Sequence, residues 1–483
     1  MRQIDSIKKL RLEKIEKYKD INFYPERVSK SVDINSITEN FDKFLNKKKK
    51  VAGRIIAQRI HGGIVFFDIL DETGKIQGVL KEDSIGQEKF QNFLDLFDAG
   101  DFIEVEGRLF FTQKKEKSIN VEKFRILSKT LSPLPAKWYG LEDVEKRIRK
   151  RYLDFLIHPE EKNKFYLRGK IVQEIRNFLN KNGFLEVETP ILQPIYGGAS
   201  AEPFKTYHRA LNSTFYLRIA PELYLKRLLV AGFEKVYEIG KVFRNEGIDA
   251  FHNPEFTSIE FYWAYHNFDD LMKLTEEMLG YVVKKVFGSF EIQYKDKKIS
   301  FKPPFKKVEF FEFLKENLGK DFENISLEEL KKIAKIYKIN TKGKPQDKIL
   351  DDLFKKTCTP KIIQPTFVTC QPIGLTPLAK TLEDRPHLAA RFQLVVCGVE
   401  LTNAFSELNS PLEQEKRFKE ELENKKHGDK EAHPYDKDFI EALEYGMPPA
   451  GGLGIGIDRL VMLLTDSPSI REVIFFPLLR PKK

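Results

Sequence analysis

Residues 235–265 read KVYEIGKVFRNEGIDAFHNPEFTSIEFYWAY, and this stretch decides the fold of the larger part of the chain. Two runs of alternating apolar and polar residues flank a polar segment that carries the turn signals Gly247 and Asn253-Pro254. The pattern therefore predicts two β-strands joined by a loop.

Charged and hydrogen-bonding side chains gather on this predicted hairpin. Because residues two apart in a strand share a face, Arg244 should lie beside Glu246, and Glu260 beside Tyr262. Each of them alone is also explained by structure, since Arg and Glu often pair across strands. Four such groups among apolar neighbours favour a binding site.

A glycine-rich segment, residues 446–464, predicts a further strand with the sequence GMPPAGGLGIGIDRLVMLL. Gly452, Gly454 and Gly456 alternate with apolar residues, so this strand has one bare face against which a flat ligand or another backbone can lie. A helix should follow directly, with Arg459 at its start as a candidate phosphate ligand. Close packing of the core is the competing explanation for the glycines.

Two well-known nucleotide-binding patterns are absent from the sequence. G-x-G-x-x-G would need a glycine in place of Ile457, and no Gly-Lys pair is followed by the Ser or Thr of G-x-x-x-x-G-K-[ST]. A bound nucleotide would therefore be held by neither a Rossmann turn nor a P-loop.

Carboxylates concentrate in two further segments. In residues 399–411, VELTNAFSELNSP, Glu400 precedes residues that share one strand face. These residues are Asn403, Phe405 and Glu407. Glu222 opens a predicted helix directly after Pro221. Because carboxylates bind both hard divalent cations and ammonium groups, both kinds of ligand stay open on this pattern alone.

The N-terminal third has a different pattern. After an amphipathic helix in the first twenty residues, five short strand-like segments follow the lysine run at 47–50, with a helical segment, QEKFQNFLDLF, before the fourth. This order is typical of an OB-fold, a small barrel that often binds single-stranded nucleic acid. The first helix either contacts RNA with its basic face or packs on the next domain.

The chain has 483 residues and a formal net charge of +10, which favours several domains and a polyanionic partner. We expect an α+β protein with a helical extension (1–45), an OB-fold (46–135), a linker (136–160) and a larger α+β domain (161–483). A helical insertion is expected at about 268–357. Because no C-x-x-C pair, signal core or membrane-length apolar run is found, we expect a cytoplasmic protein without membrane contact.

Long motifs in the chain resemble the class II aminoacyl-tRNA synthetases. FRNEGIDAFHNPEFTSIEFYWAY, GGLGIGIDRLVMLL and FLEVETPIL are similar to motifs 2, 3 and 1 of that class. Within the class the chain is most similar to the lysyl-tRNA synthetases, through PIYGGASAEPF, RIAPELYLKRL, ELTNAFSELN and an OB domain ending in PLPAKWYGL. The resemblance runs from about residue 20 to residue 480. It implies a catalytic domain built on a mixed, mainly antiparallel sheet with helices.

The resemblance implies a lysine–tRNA ligase that activates L-lysine with ATP to lysyl-adenylate, with Mg²⁺ as cofactor, and transfers the lysine to tRNA(Lys). It also implies a homodimer, because motif 1 forms the dimer interface in this class. The reaction needs no protein nucleophile, so acceleration comes from positioning and from neutralising phosphate charge.

Roles of individual residues are also implied by the resemblance. Arg244 would bridge the lysine carboxylate and the α-phosphate, and Arg459 would hold the γ-phosphate, which makes these two the catalytic residues. The other ATP contacts would be Glu246, His252, Asn253, Phe256, whose ring stacks on adenine, and Glu400, a magnesium ligand. The lysine contacts would be Gly198, Glu222, Arg244, Glu260, Tyr262, Asn403, Phe405 and Glu407. The anticodon contacts would be Arg59, Phe66, Gln77 and Glu116.

Two positions depart from the family pattern. Gln393 stands where the pattern has a glutamate that would be a second magnesium ligand, and Gly374 stands where it has an acidic residue. Since a carboxamide oxygen coordinates a metal without contributing negative charge, Gln393 predicts altered metal binding or a slower enzyme. Two alternatives stay open: a paralogue that lysylates a protein side chain, and a catalytically weak RNA-binding protein on the same scaffold.

Overall fold

The computed structural model describes residues 2–29, 32–134, 143–426 and 432–481. The chain divides into two compact units, residues 1–142 and 143–483. Residues 136–142 of the expected linker lie outside the described residues. Among the described residues, no helix is both long and apolar enough to span a membrane.

The first unit is a closed five-stranded barrel with short helices. Its helices are α1 (Arg2–Lys17), α2 (Ile34–Glu39), α3 (Phe41–Phe44), α4 (Glu82–Ile85) and α5 (Gln87–Leu96). Its strands are β1 (Lys48–His61), β2 (Ile64–Leu70), β3 (Lys75–Lys81), β4 (Phe102–Phe111) and β5 (Lys117–Ser128). They close in the order β1-β2-β3-β5-β4, and the β3–β5 pair is parallel. The expected OB-fold is confirmed, including the helix before the fourth strand.

Alternation along β2 decides which side chains fill the barrel. Phe67 is buried together with Val65 and Ile69, whereas Phe66 points to the outer face and is half-buried. Successive strand residues point to opposite faces, so two adjacent phenylalanines serve different purposes. One completes the core, and the other is available to a ligand.

Helix α1 packs on the same unit through its basic residues. Arg11 is buried and donates a hydrogen bond to the backbone oxygen of Thr130 at 2.8 Å. The ammonium group of Lys14 lies 3.0 Å from the carboxylate of Asp98. The helix was expected either to contact RNA or to pack on the next domain. The contacts of Arg11 and Lys14 favour packing for the face that carries these two residues.

A buried cation, Lys129, follows β5. Its ammonium group lies 2.7 Å from the fully buried carboxylate of Asp101 and 2.5 Å from that of Asp98. It also donates to the backbone oxygen of Leu96 at 2.5 Å. Because a buried ammonium group without partners is very unfavourable, these contacts are what allow Lys129 to be buried at all.

Replacing Lys129 by Met would leave the Asp101 carboxylate buried without its ammonium partner. We expect the free energy of unfolding of the first unit to fall by about 3–5 kcal/mol, as when one partner of a buried ion pair is removed. Lys123→Met is the control, because Lys123 is exposed and 3.5 Å from Glu106, and should cost less than about 1 kcal/mol. Amide hydrogen exchange of barrel residues measures both, and equal losses would contradict the assignment.

The second unit is an α+β domain around an eight-stranded sheet. Its helices are α6 (Val144–Arg149), α7 (Arg151–Ile157), α8 (Lys162–Lys181), α9 (Glu222–Val230), α10 (Phe268–Phe287), α11 (Phe310–Leu318), α12 (Leu327–Ile336), α13 (Gln346–Thr357), α14 (Pro411–Lys426), α15 (Lys437–Glu444) and α16 (Ile457–Leu464). Its strands are β6 (Leu185–Glu186), β7 (Leu192–Gln193), β8 (Lys205–His208), β9 (Ser213–Leu217), β10 (Lys235–Phe243), β11 (Glu255–Ala264), β12 (Glu291–Tyr294), β13 (Lys297–Ser300), β14 (Lys306–Glu309), β15 (Thr366–Thr369), β16 (Arg391–Val396), β17 (Val399–Ser406) and β18 (Ala450–Gly456).

The sheet has the strand order β14-β15-β16-β17-β18-β11-β10-β6. The β14–β15 and β10–β6 pairs are parallel and the other pairs are antiparallel. The expected mixed, mainly antiparallel sheet is therefore confirmed. Helices α8, α10 and α16 supply apolar side chains to the core that covers it.

The hairpin expected at residues 235–265 is present as β10 and β11, and the glycine-rich strand β18 is followed at once by α16. One detail of that expectation is wrong. Strand β10 ends at Phe243, so Arg244 and Glu246 lie in the loop and do not share a strand face. Glu260 and Tyr262, by contrast, lie on β11 as expected.

The expected linker and insertion also differ from the structure. Helices α6 and α7 belong to the second unit, and Arg151 in α7 donates to the backbone oxygen of Arg471 at 2.7 Å. The region 268–357 contains the helices α10 to α13, as expected, but α10 packs in the main core and β14 is a strand of the central sheet. Within FLEVETPIL, residues 184–192, strand β6 covers only Leu185–Glu186.

Candidate active site

Strands β17, β18 and β11 lie side by side and form the floor of the candidate site. Backbone pairing aligns six residues in two rows across these strands: Asn403, Gly454 and Glu260, then Phe405, Gly452 and Tyr262. The middle strand contributes glycines to both rows, so side chains of the outer strands can lean over it.

Gly452 is required by the side chains that cross over it. A Cβ atom at this position would overlap the carboxylate of Glu407 and the ring of Tyr262. At Gly454 and Gly456 a Cβ atom would meet only ordinary contacts, the nearest at 3.6 and 3.8 Å. The bare strand face expected from the sequence is thus covered at Gly452 by the side chains of Glu407 and Tyr262. At Gly454 and Gly456 the face is less crowded.

Buried carboxyl groups from three elements meet beside these rows, and we call them the acidic cluster: Glu222, Glu260 and Glu407. Glu222 begins α9, Glu260 lies on β11, and Glu407 directly follows β17. The Tyr262 hydroxyl donates to Glu260 Oε2 at 3.2 Å, as their shared strand face predicted. Gly198, with a φ of 87°, packs directly against Glu222.

A lysine of the protein itself lies between two members of the acidic cluster. Lys226 is fully buried, its ammonium group lies 2.7 Å from Glu222 Oε1, and it forms an ion pair with Glu407. Glu222 and Lys226 are four residues apart on α9, the spacing at which side chains of a helix meet. Sequence reasoning missed Lys226, although the Glu-x-x-x-Lys spacing was a usable signal.

Burial sets the protonation of the acidic cluster. Desolvation raises the pKa of Glu260 to about 8, and the neighbouring Glu222 carboxylate adds to the shift. Although desolvation opposes it, attraction to Glu222 and Glu407 raises the pKa of Lys226, which therefore stays charged. Carboxyl groups outnumber cations here, so the cluster is suited to bind a ligand that carries ammonium groups.

Arg244 lies directly after β10, within electrostatic reach of Glu260. Its Nε donates to the backbone oxygen of Ile219 at 3.4 Å, and its guanidinium carbon lies 5.1 Å from the centre of the Phe256 ring. Desolvation lowers the pKa of Arg244, while the charges of Glu246 and Glu260 oppose the shift. A guanidinium group in this position can bind a carboxylate or phosphate oxygen with two parallel hydrogen bonds.

Arg459, in the first turn of α16, is held by the loop between β10 and β11. Its Nε donates to the backbone oxygen of Phe251 at 3.2 Å, and its Nη2 lies 2.8 Å from His252 Nε2. His252 Nδ1 lies 2.9 Å from Asp249 Oδ1, which assigns the proton to Nδ1 and leaves Nε2 to accept from Arg459. Asp249 thus fixes the tautomer that orients the arginine.

Comparison with known proteins agrees with this geometry. A family model described as class II tRNA synthetases (D, K and N) matches residues 143–480, and one for the OB-fold nucleic acid binding domain matches residues 49–127. A lysine–tRNA ligase of Aquifex aeolicus is 51% identical over 455 residues, which cover 93% of this chain and 76% of that protein. The lysine–tRNA ligases of Carboxydothermus hydrogenoformans and Syntrophomonas wolfei are each 47% identical to this chain, and each alignment covers 99% of this chain. The alignments cover 99% of the first protein and 98% of the second.

The chain belongs to the lysine–tRNA ligase family. The resemblance inferred from the motifs is thereby confirmed, and the two matched regions fall in the two units of the structure. The family model that matches residues 143–480 is that of class II synthetases, so the mixed, mainly antiparallel sheet of the second unit belongs to the class II catalytic domain.

The metal ligands that the lysine–tRNA ligase pattern implies do not form a carboxylate cluster here. Glu400 is half-buried on β17, while on β16 the Oε1 of Gln393 accepts a hydrogen bond from Gln371 Nε2 at 3.2 Å. Within the described ranges, no group of three or more His, Cys, Asp or Glu is placed to hold a metal ion. One carboxylate and one engaged amide are too few donors for a resident divalent cation, so these residues do not fit one.

The remaining predicted ATP and lysine residues are distributed around the same floor. Asn253 is buried, its Nδ2 donates to the backbone oxygen of Glu255 at 2.6 Å, and its Oδ1 accepts no hydrogen bond from the residues that the structure describes. Asn403 Oδ1 accepts from Nε of Arg391 at 2.7 Å. Glu246 is exposed in the loop, as is His252.

The predicted anticodon residues lie on one outer face of the barrel. Arg59 on β1 is paired directly with Phe66 on β2. Gln77 on β3 donates to the carboxylate of Glu116 at 3.1 Å and accepts from the hydroxyl of Ser118 at 3.1 Å. This arrangement combines an aromatic ring with oriented polar groups, as base stacking and base recognition require.

The raised pKa of Glu260 predicts a pH dependence of stability. Between the ordinary value of 4.5 and about 8, the folded protein holds a proton that the unfolded chain has lost. The free energy of unfolding therefore falls as pH rises through this window, by up to about 1.4 kcal/mol per pH unit from this group. Urea denaturation at pH 5.5 and pH 7.5 measures the slope.

Glu260→Gln should remove that contribution, because the amide does not titrate. Glu255→Gln is the matched control, since Glu255 is an exposed residue of the same strand, and it should leave the slope unchanged. A Glu260→Gln protein with the wild-type slope would show that Glu260 is already ionised at pH 5.5.

Proposed function

We propose that this protein joins L-lysine to tRNA(Lys) with ATP, through a lysyl-adenylate, in the cytoplasm, where tRNA is used in translation. The observation that carries the proposal is the position of the acidic cluster next to Arg244. The acidic cluster offers carboxylates to two ammonium groups of a ligand, and Arg244 offers a guanidinium group to one carboxylate. Lysine is the amino acid that carries two ammonium groups and one carboxylate.

Lysine recognition follows from the charges of the acidic cluster. When all three carboxyl groups are ionised, the one ammonium group of Lys226 leaves two negative charges, which match the α- and ε-ammonium groups of a bound lysine. The α-ammonium group binds at Glu222 and the backbone near Gly198. The ε-ammonium group binds at Glu260, Glu407 and the Tyr262 hydroxyl, in a pocket shaped by Asn403 and Phe405.

The empty pocket holds a proton on Glu260 near neutral pH, because the pKa of that carboxyl group is about 8. An arriving ε-ammonium group favours the ionised form, so lysine binding releases this proton. Neutral side chains cannot do the same and would leave buried acidic groups without partners, which is the basis of selectivity.

Activation requires the lysine carboxylate to attack the α-phosphorus of ATP while the bond to pyrophosphate breaks. Arg244 holds the attacking carboxylate and the α-phosphate together, and Phe256 stacks on the adenine. Arg459, oriented by His252, binds the γ-phosphate, while Glu246 and Asn253 complete the nucleotide site. Positioning and charge neutralisation then lower the barrier without a protein nucleophile.

Magnesium enters with ATP as part of the substrate complex in this proposal, with Glu400 as its protein ligand. The adenylate is then attacked at its carbonyl carbon by the terminal adenosine hydroxyl of tRNA, and AMP leaves. The barrel binds the anticodon, with Phe66 stacking on a base and Arg59, Gln77 and Glu116 reading its edges.

We also infer a homodimer from exposed apolar side chains around FLEVETPIL. Leu185, Ile191 and Leu192 are 49%, 44% and 48% exposed, and apolar groups concentrated in one segment favour a protein interface. This segment corresponds to motif 1 of the class, where subunits associate.

Lysine-dependent exchange between ATP and pyrophosphate tests the proposed reaction. We expect exchange with lysine and not with the other amino acids. Arg244→Lys should lower kcat/KM roughly 100-fold or more, because an ammonium group cannot form the paired hydrogen bonds of a guanidinium. Arg209→Lys, at an exposed arginine, should have little effect.

No exchange with any amino acid, from folded protein that still binds tRNA, would reject the ligase. That result would favour the RNA-binding paralogue. Exchange accompanied by transfer to a protein side chain, and not to tRNA, would favour the protein-lysylating one.

Lys226→Met tests the internal ammonium group of the lysine pocket. Without Lys226, Glu222 and Glu407 repel each other, so one of them takes up a proton and lysine loses a partner. We expect the KM for lysine to rise about 10- to 100-fold, with a smaller change in kcat and in the KM for ATP. An unchanged KM for lysine in a protein with only a lower melting temperature would reduce Lys226 to a structural role.

A further inference from the structure

Two adjacent residues in the first turn of α16 have different surroundings. Arg459 binds the loop between β10 and β11, whereas the side chain of Asp458 is only 1% exposed. A buried carboxylate is tolerated only with charged or hydrogen-bonded partners. The partners of Asp458 therefore decide how the start of α16, and with it Arg459, is held.

Arg168 on α8 supplies the cationic partner. Its Nη1 donates to Asp458 Oδ1 at 2.5 Å, and its Nη2 donates to Thr257 Oγ1 at 3.1 Å on β11. The other carboxylate oxygen, Asp458 Oδ2, accepts from the backbone N–H of Thr257 at 2.6 Å. Because a guanidinium group is planar and its donors are fixed in a fork, these contacts set the position of α16 relative to β11.

Arg168 also reaches the segment that follows α16. Its Nη1 donates to the backbone oxygen of Val473 at 3.3 Å. Lys164, one turn earlier on α8, donates to Glu472 Oε2 at 2.8 Å. Ile470 and Val473 are buried in the core that covers the central sheet. Residues 470–473 are thus fixed to α8 by polar contacts as well as by apolar packing.

The same segment holds the loop that carries the partners of Arg459. The backbone N–H of Ile470 donates to the backbone oxygen of Ala250 at 2.8 Å. The next two loop residues, Phe251 and His252, bind the Arg459 guanidinium group. The contacts therefore form a closed ring, which runs from α8 to the start of α16, through Arg459 to the loop, and through residues 470–473 back to α8.

We infer that Arg168 is a positioning residue for the phosphate end of the ATP site, because it fixes through Asp458 and Val473 both sides of the ring in which Arg459 is held. The inference rests on the proposed function, which assigns Arg459 to the γ-phosphate. Arg168 acts without touching the nucleotide. A guanidinium group displaced by a fraction of an ångström binds its phosphate less well, so loss of Arg168 is felt where Arg459 acts.

The competing explanation is that Arg168 only neutralises the buried carboxylate of Asp458 and contributes to stability. The two explanations differ in which ligand they affect. A positioning role concerns the end of the phosphate chain and leaves the adenine and the α-phosphate unaffected. A purely stabilising role lowers the melting temperature and does not distinguish one nucleotide from another.

Binding of ATP and of AMP to the full-length protein, measured by calorimetry with magnesium present, separates the two explanations, because AMP lacks the β- and γ-phosphates. Arg168→Lys keeps a positive charge beside Asp458 but loses the fork of donors. We expect it to weaken ATP binding about 10-fold, as for the loss of a charge-assisted hydrogen bond, and AMP binding less than about twofold. Arg459→Lys should show the same selective loss for ATP.

Arg176→Lys is the matched control. Arg176 lies further along α8, outside the ring, and binds Glu186 with two hydrogen bonds of 2.8 and 3.0 Å. Loss of this exposed pair should leave both affinities within about twofold of wild type. Thr257→Val is the second variant, because it removes one acceptor of the fork and leaves the Asp458 ion pair intact. It should also weaken ATP binding selectively, although less than Arg168→Lys.

Equal losses of ATP and AMP affinity in Arg168→Lys would overturn the inference. Unchanged ATP affinity with a lower melting temperature would also overturn it and leave Arg168 a stabilising role only. If Arg168→Lys does not fold, the ATP affinity of Thr257→Val decides, and an unchanged value has the same meaning. Absence of lysine-dependent exchange in the wild type would reject the proposed function instead, while the ratio of ATP to AMP affinity would still decide the role of Arg168.

Discussion

Carboxyl groups can be buried side by side only where cations share the space, because each loses hydration and repels its neighbours. The second unit depends on this constraint at the acidic cluster. Lys226 satisfies it in part, through its ion pairs with Glu222 and Glu407. Glu260 satisfies it by keeping its proton, which its pKa of about 8 reflects. The cluster is therefore stable when empty and still able to bind cationic groups.

The glycines of β18 make that arrangement sterically possible. Glu407 and Tyr262 cross over Gly452, so any side chain there would displace the groups that form the pocket. The same strand leads directly into α16, which carries Arg459. Buried Asp458 accepts from the backbone N–H of Thr257 at 2.6 Å, which ties the start of α16 to β11. The acidic cluster and Arg459 are thus positioned by one continuous segment, β18 and α16.

Charge at the phosphate end is distributed differently from the family pattern. An amide pair, Gln371 with Gln393, stands where a carboxylate was expected, and Asp347 fills the space above Gly374. The first change lies between β16 and the segment that follows β15, and the second lies between α13 and Gly374.

The sequence by itself determined the local elements and the family. Period-two alternation predicted β10 and β11, the glycine spacing predicted β18, and Pro221 predicted α9, because these signals act over a few neighbouring residues. Motif residues also named nearly all of the candidate site. Only the tertiary structure decided that β10 stops before Arg244, that β14 joins the central sheet, and that Lys226 lies within the acidic cluster. Burial, strand register and the pairing of buried charges depend on residues far apart in the chain, and no local pattern encodes them.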